Sequence, residues 1–541
     1  MSIVIGLSLG HDGAIALVKD GRLVAAIARE RVSRVKKQTG VSRAELDYVL
    51  DFAGVGMADI TAVAFAAYHY APDNYIKLYL PDGQEVTHHL FDHPSGVFTQ
   101  QLQTQIDGRR VPAIFVQHHL SHCASTFYTS PFERAACFSL DSSMLRPEAC
   151  SIFAYGSELE VHPLYCPGLM IGNAYNIFTS KLGLGDGLFK AGTTMGLASY
   201  GQILPMAREN WQRYGQSYYA RAFQENDFIF IDQMWSELSG LPPHQGFSKE
   251  QSDKQPAMDI AASLQFVFEE TIVQAAQALY DKTKNFSGGN LCLSGGSFLN
   301  CNTNSAILDR TEFANVHLFP GCGDDGTAVG AALYVAHHLM KAPRRPYEPE
   351  EIAYLGRSYP ETELGEPLNF DVVIETIADG GVVGWFQGRS EFGPRALGNR
   401  SILADPRNPG MRDHINNNVK RREWFRPFAP MVMEEHVAEW FEFDRPSPFM
   451  LFTAAVREPD RLPAISHVDG SARVQTVSPT SNPRIYELLK RFKAVTGVPV
   501  LLNTSLNVNS EPLVETPEDA LRFWEGSPVS LMVIGDRMLR R

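Results

Sequence analysis

Residues 3–28 read IVIGLSLGHDGAIALVKDGRLVAAIA, and this stretch decides the fold of the first half of the chain. Ile3 to Leu9 is strand-like and ends in the polar turn Gly10-His11-Asp12-Gly13. Two further apolar runs, Ala14–Val18 and Leu23–Ala28, are joined by Lys19-Asp20-Gly21. An Asp-Gly step between apolar runs is a strong hairpin signal, because tight hairpin turns need left-handed backbone that these residues tolerate. A weaker echo follows. Ala135–Leu140 is strand-like, Asp141-Ser142-Ser143 is polar, and Ser151–Tyr155 leads to Gly156-Ser157. An apolar strand, an acidic turn and a hairpin are therefore expected twice.

Duplicated halves of this kind build the RNase H-like fold of the ASKHA superfamily, which includes actin and sugar kinases. The expectation is an α/β chain with a duplicated RNase H-like N-terminal domain. Residues 255 to 285 are apolar at helical spacing and predict one long helix. Asn290–Ser294 reads as a buried strand ending in Gly295-Gly296. The turn Phe319 to Gly326 leads into a small-residue helix from Thr327 to Leu339. Lys341 to Glu350 holds three prolines and several charges and reads as a linker. At 541 residues the chain is too long for one core. Domains of 1–350 and 351–541 are expected, and the second contains no cysteine.

Composition bounds the function. Apolar content of 44% and charged content of 20% fit a soluble globular protein. A net charge of -13 argues against nonspecific binding to nucleic acid or to anionic lipid. No run of 18 apolar residues and no signal peptide is read. The seven cysteines, Cys123, Cys137, Cys150, Cys166, Cys292, Cys301 and Cys322, include no CxxC pair. A reducing cytoplasm is therefore expected. A homodimer is the default oligomer.

The run VPAIFVQHHLSHCAS, residues 111–125, places His118 and His122 four residues apart at a helix start after a strand. Such residues share one helix face and can address one ion. Alone, the pair reads better as two polar residues on a helix N-terminal turn, and the rest of the chain changes that weighting. Asp141 and Asp324, at other strand ends, are natural carboxylate partners. Two imidazoles with carboxylates suit Fe(II), Mn(II) or Zn(II). A zinc peptidase needs Glu after the first His, and this chain has His119 there. In the second half a basic stretch gathers Arg389, Arg395, Arg400, Arg407, Arg412, Lys420, Arg421, Arg422 and Arg426. It asks for an anionic partner, with a solvated charged face as the competing explanation, strongest for Arg407 and Arg412. Guanidinium forks suit phosphate oxygens. The strand Val498–Leu502 runs into Asn503-Thr504-Ser505-Leu506-Asn507, a polar set fit for ribose or phosphate.

The ordered motifs GHDGA, QHHLSHCAS, LCLSGGSFLN, GCGDDGTAVGAAL, SEFGPRALGNRSILADPR, KRREWFRPFAP and NTSLNVNSEP span essentially the whole chain. In that order they resemble the bacterial O-carbamoyltransferases, which include nodulation-factor, cephalosporin, tobramycin and ansamycin carbamoyltransferases. The first domain also resembles the universal tRNA threonylcarbamoylation protein, and the second a YrdC-type nucleotide-binding domain. The resemblance implies that the second domain joins carbamoyl phosphate to ATP, giving carbamoyl adenylate and pyrophosphate. The first domain would bind the adenylate at an iron-type divalent metal and pass the carbamoyl group to a small-molecule hydroxyl, often in antibiotic biosynthesis. It implies His118, His122, Asp141 and Asp324 as metal ligands. Gly295, Gly296, Asn300 and Lys190 would lie along the adenylate. Arg395, Lys420, Arg422, Arg426, Arg473, Asn503 and Ser505 would take ATP and carbamoyl phosphate. His11 is the candidate general base, with Asp12 orienting it or the acceptor. No nucleic-acid or membrane partner is implied.

Two departures stand out. Many relatives carry Asp-Gly where this chain has Asp141-Ser142, and nodulation-type members carry a lysine where this chain has Thr193, with Lys190 three residues before. Aromatic residues Trp211, Tyr214, Tyr218, Tyr219, Phe223, Phe228, Phe230 and Trp235 can wall an acceptor pocket, though core packing is the more common use. Competing functions are an ASKHA-type phosphotransferase acting on a sugar-like alcohol and a noncatalytic nucleotide sensor. The first leaves the paired histidines unexplained, and the second predicts ATP binding without pyrophosphate release.

Overall fold

The computed structural model describes residues 1–66, 78–79, 98–106, 108–142, 150–209, 211, 229–360 and 362–541. The opening stretch forms β1 (Ile3–Ser8), β2 (Ala14–Lys19) and β3 (Arg22–Ala28), an antiparallel meander as its turns require. β4 (Ala62–Phe65), β5 (Leu78–Tyr79), β6 (Thr99–Ile106) and β7 (Arg109–Val116) complete a sheet of order β3-β2-β1-β4-β7-β6-β5. β1, β4 and β7 are parallel. The echo is real. β8 (Arg134–Leu140), β9 (Ser151–Ser157), β10 (Glu160–Tyr165), β11 (Asn290–Ser294) and β12 (Asn315–Leu318) form a second sheet of order β10-β9-β8-β11-β12. Here too a three-strand antiparallel meander continues into two parallel strands. The RNase H-like pattern thus occurs twice, with β6 and β5 added at one edge.

Helices α1 (His118–Thr129), α3 (Gln255–Thr283) and α5 (Asp325–Leu333) pack on these sheets, and α2 (Gly187–Ala198) and α4 (Cys301–Arg310) pack on α3. The expected small-residue helix runs on beyond α5 as a π-helical turn, Tyr334–Leu339. Its small residues have a purpose. A Cβ on Gly330 of α5 would lie 1.7 Å from the carbonyl oxygen of Ser121 in α1. Only glycine permits that approach, which brings the start of α5 under the face of α1 carrying both histidines.

A third, mixed sheet is built from residues 366–540. Its strands are β13 (Glu366–Pro367), β14 (Val383–Phe386), β15 (Arg400–Ala404), β16 (Ala429–Met433), β17 (Phe452–Ala455), β18 (Ser471–Val477), β19 (Val500–Ser505), β20 (Leu531–Ile534) and β21 (Arg537–Arg540). The order is β13-β21-β20-β14-β15-β19-β16-β18-β17. It has its own core, including Trp385, Ile402, Leu488, Phe492 and Leu501.

The proline-rich segment after residue 340 is not the solvated linker its composition predicts. Arg344 donates to the carbonyls of Phe127, Ser130 and Phe132 at 2.6, 2.7 and 2.6 Å, and the backbone N–H of Leu23 donates to the Tyr347 hydroxyl at 2.8 Å. The last carbonyls of a helix lack intrahelical partners, so the end of α1 captures the guanidinium. Among the described residues no helix is long and apolar enough to cross a membrane.

Candidate functional site

Four strand ends meet at one place. Gln117 caps α1, its side chain accepting from Leu120 N at 2.8 Å, so the helix starts at His118 directly after β7. His118 and His122 face Asp141, which follows β8, and Asp324, which precedes α5. One ligand atom from each of the four lies within 4.8 Å of all the others. His122 Nε2 is 3.3 Å from Asp141 Oδ2 and 3.4 Å from Asp324 Oδ1. His118 Nε2 is 3.8 and 3.5 Å from the same atoms. His122 is fully buried, and its Nε2 has no well-directed hydrogen bond. A buried imidazole nitrogen aimed between two carboxylates fits a divalent cation, and two nitrogens with two oxygens suit first-row metals. The far nitrogen of His122, Nδ1, lies 3.2 Å from the Ser294 hydroxyl, an outer-shell contact of the kind that orients ligating histidines. Burial works against charge on His122, but the two carboxylates outweigh it and lift the ring to about 9. Burial likewise opposes charge on Asp141, but hydrogen bonds from His118 and His122 hold its carboxyl well below the usual range.

The glycine turn shares this carboxylate. Gly296 N donates to Asp141 Oδ2 at 3.2 Å. Asn300 sits at the end of the same turn and caps α4, accepting from Thr303 N at 3.3 Å. Its amide donates to Gln265 at 2.9 Å. His11 bridges Asp12 and Asp324, with Nδ1 3.1 Å from Asp12 Oδ2 and Nε2 3.3 Å from Asp324 Oδ2. Asp324 is the main cause that raises His11 to about 9. A carboxylate spent on a cation no longer exerts that pull. Lys37 completes the group, donating to Asp12 at 2.8 Å.

Beside the glycine turn lies a crevice lined by half-buried Arg395, Arg422, Arg426 and Arg473 and by buried Lys420. Arg395 donates to Leu299 O at 3.2 Å, and Arg426 to Thr193 of α2 at 2.8 Å. The Nε atoms of Arg395 and Arg473 are buried without partners. Burial and neighbouring guanidinium groups, Arg473 first, push Arg395 down to about 9. Burial, then Arg422 and Arg426, push Lys420 well below the usual lysine range. Cations that repel each other in a crevice are compensated by a polyanion. Lys190 stands at the rim, 3.3 Å from Asn509 Oδ1 and 3.6 Å from Glu423.

Part of the basic stretch is spent elsewhere. Arg400 is fully buried and donates to the Gln387 carbonyl at 2.6 Å. Arg389 donates to Leu355 O at 2.6 Å and lies over the Phe52 ring, and Arg407 pairs with Asp405 at 2.6 Å. These three hold loops in place and do not line the crevice. Asn503 is buried, with its amide donating to Ala396 O at 3.0 Å and Gln475 at 2.8 Å. Ser505 accepts from Lys420 at 3.0 Å. Trp211 and Trp235 are core residues. Ser143, Tyr214, Tyr218, Tyr219, Phe223 and Phe228 lie outside the described residues, as does the Phe230 side chain. Sequence reasoning missed Ser294 and Lys37. The Ser-Gly-Gly step that closes β11 is a signal for the first, whereas nothing in the run RVKKQTG marks Lys37 as the partner of Asp12.

The paired histidines, glycine turn and cationic crevice on a twice-repeated RNase H-like frame define a group-transfer enzyme. The chain belongs to the carbamoyltransferase family and is a carbamoyltransferase. Residues 3–333 match the family model described as Carbamoyltransferase N-terminus, and residues 374–541 the one described as Carbamoyltransferase C-terminus. It is 34% identical to the Synechocystis protein sll1178 over all of this chain and 97% of that one. It is 36% identical to nodulation protein NolNO of Sinorhizobium fredii, over 98% of this chain and 79% of that one. It is 40% identical to 3'-hydroxymethylcephem-O-carbamoyltransferase of Amycolatopsis lactamdurans, over 47% of this chain and 49% of that one.

Proposed function

We propose that the C-terminal domain of this carbamoyltransferase, residues 351–541, acts as the YrdC-like domain: it cleaves carbamoyl phosphate to carbamate and inorganic phosphate, and a carbamate oxygen then attacks the α-phosphorus of ATP, forming carbamoyl adenylate and releasing pyrophosphate. The N-terminal half, residues 1–350, transfers the carbamoyl group from the resulting adenylate to a hydroxyl of a secondary metabolite. The observation that carries this reading is the Arg395–Leu299 contact. It sets an undercompensated cationic crevice against the glycine turn, which shares Asp141 with the four-ligand centre.

The chemistry follows from the groups. A carbamoyl carbonyl is a poor electrophile because its nitrogen donates into it, and a mixed anhydride with adenylate supplies a better leaving group. Arg395, Arg422, Arg426, Arg473 and Lys420 bind and orient the phosphates, while Ser505 and Asn503 shape the floor beneath Lys420. Gly295 and Gly296 let the backbone approach the adenylate, and Asn300 and Lys190 flank it. His118, His122, Asp141 and Asp324 would hold a divalent metal, Fe(II) in this reading, that supplies Lewis-acid polarisation of oxygen when bound. His11 takes the proton of the acceptor hydroxyl, and Asp12 orients its ring. Such proton transfer contributes about 10²–10⁴-fold.

The test incubates the protein with ATP, carbamoyl phosphate, Fe(II) and hydroxyl acceptors, including tobramycin and a 3'-hydroxymethylcephem, and analyses products by mass spectrometry. Carbamoylated product with pyrophosphate supports the reading. A phosphorylated acceptor formed from ATP alone overturns it.

A further inference from the structure

The segment Arg29–Lys37 follows the first meander and ends at the lysine paired with Asp12. Two arginines tie it to the other half of the molecule. Arg31 is 3% exposed, so its charge is almost wholly withdrawn from water. It donates through Nη2 to the carbonyl of Gly393 at 2.7 Å, while its Nε and Nη1 find no hydrogen bond. Arg34 donates to the carbonyls of Leu513 and Pro512 at 2.6 and 3.0 Å and approaches Asp519 at 3.5 Å.

Both anchors are loops that carry crevice residues. Gly393 begins the turn that presents Arg395. That turn is wedged on the strand-end loop leading to Asp324, where a Cβ on Gly393 would lie 2.4 Å from Pro320 O. Pro512 and Leu513 follow Asn507 and Asn509, which accept from Lys420 and Lys190. At the second tie and just beyond it the backbone is held in left-handed conformations that L side chains seldom adopt, at Arg34 (φ +61°) and Lys37 (φ +55°). Such conformations persist where the surroundings over-determine them. Here the surroundings are the two arginine ties and Glu30, which accepts from Lys37 N at 3.0 Å.

We propose that Arg31 and Arg34 are positioning residues. They set Lys37 against Asp12 through the Gly393 and Pro512–Leu513 loops, so that the transfer centre is arranged only while the crevice loops are in place. This inference rests on the two-step function proposed above and assigns the coupling of the two steps to named side chains.

The test uses full-length Arg31→Lys, Arg34→Ala and Arg34→Lys. Three quantities are measured with ATP and carbamoyl phosphate: pyrophosphate release, transfer to tobramycin or a 3'-hydroxymethylcephem, and acetylation of Lys37 followed by mass spectrometry. Arg34 is about a quarter exposed, so Arg34→Ala keeps the test open if Arg31→Lys fails to fold. In Arg34→Ala and Arg31→Lys, pyrophosphate release and the KM for ATP should stay within about twofold of wild type. Transfer should fall about tenfold or more, as misplacement of reacting groups costs, and Lys37 should acetylate faster. Arg34→Lys, which keeps one donor, should recover part of both. Unchanged Lys37 acetylation, or parallel loss of pyrophosphate release and transfer, overturns the proposal. A wild-type protein that releases no pyrophosphate overturns the two-step function itself, and this inference with it.

Discussion

The hydroxyl of Ser294 lies 3.2 Å from Nδ1 of His122, across the junction between β11 and α1. That contact decides which ring nitrogen faces the carboxylates. Ser294→Ala should therefore weaken divalent-metal binding by about 10–100-fold, the usual effect of losing an outer-shell partner. Calorimetric titration with Fe(II) or a stable substitute such as Mn(II) checks this, and unchanged affinity would count against the centre.

Gly330 tests how the centre is held. An alanine there would push its Cβ against the carbonyl of Ser121, the residue directly before His122. Gly330→Ala should cost about 1–3 kcal/mol of stability, as overpacking does, read from urea unfolding. It should also lower metal occupancy, because α1 moves with its histidines.

Arg473 tests the crevice. Its neighbours are cations, so Arg473→Met relieves repulsion among half-buried charges. The melting temperature of the free protein should hold or rise, while the extra stabilisation by ATP shrinks. A variant that loses free-state stability and keeps its full ATP-dependent shift would contradict the assignment.

His11 separates the two steps. His11→Asn should leave carbamoyl-phosphate-dependent pyrophosphate release intact and lower transfer by about 10²–10⁴-fold. Equal loss of both would remove His11 from the role of base.

Much of this is legible in the sequence. The Asp-Gly turn and its echo near Asp141 announced both meanders, and the paired histidines with Asp141 and Asp324 do converge. What the chain order hides is who pays attention to backbone carbonyls. Arg389 and Arg400 look like anion ligands in sequence, yet their guanidinium groups satisfy loop carbonyls that only the folded chain brings near. Arg344 falls in a stretch whose composition predicts a linker for the same reason. Lys37 is invisible in the sequence because its partner, Asp12, is 25 residues away, with β2, β3 and the helix Arg29–Ser33 between them.

The division of labour is tested most directly by carbamoyl-phosphate-dependent exchange of labelled pyrophosphate into ATP, measured on the His118→Ala/His122→Ala double variant. The account predicts exchange close to wild type with carbamoylation of the acceptor abolished. Loss of exchange in step with transfer, in a variant that remains folded, would contradict it.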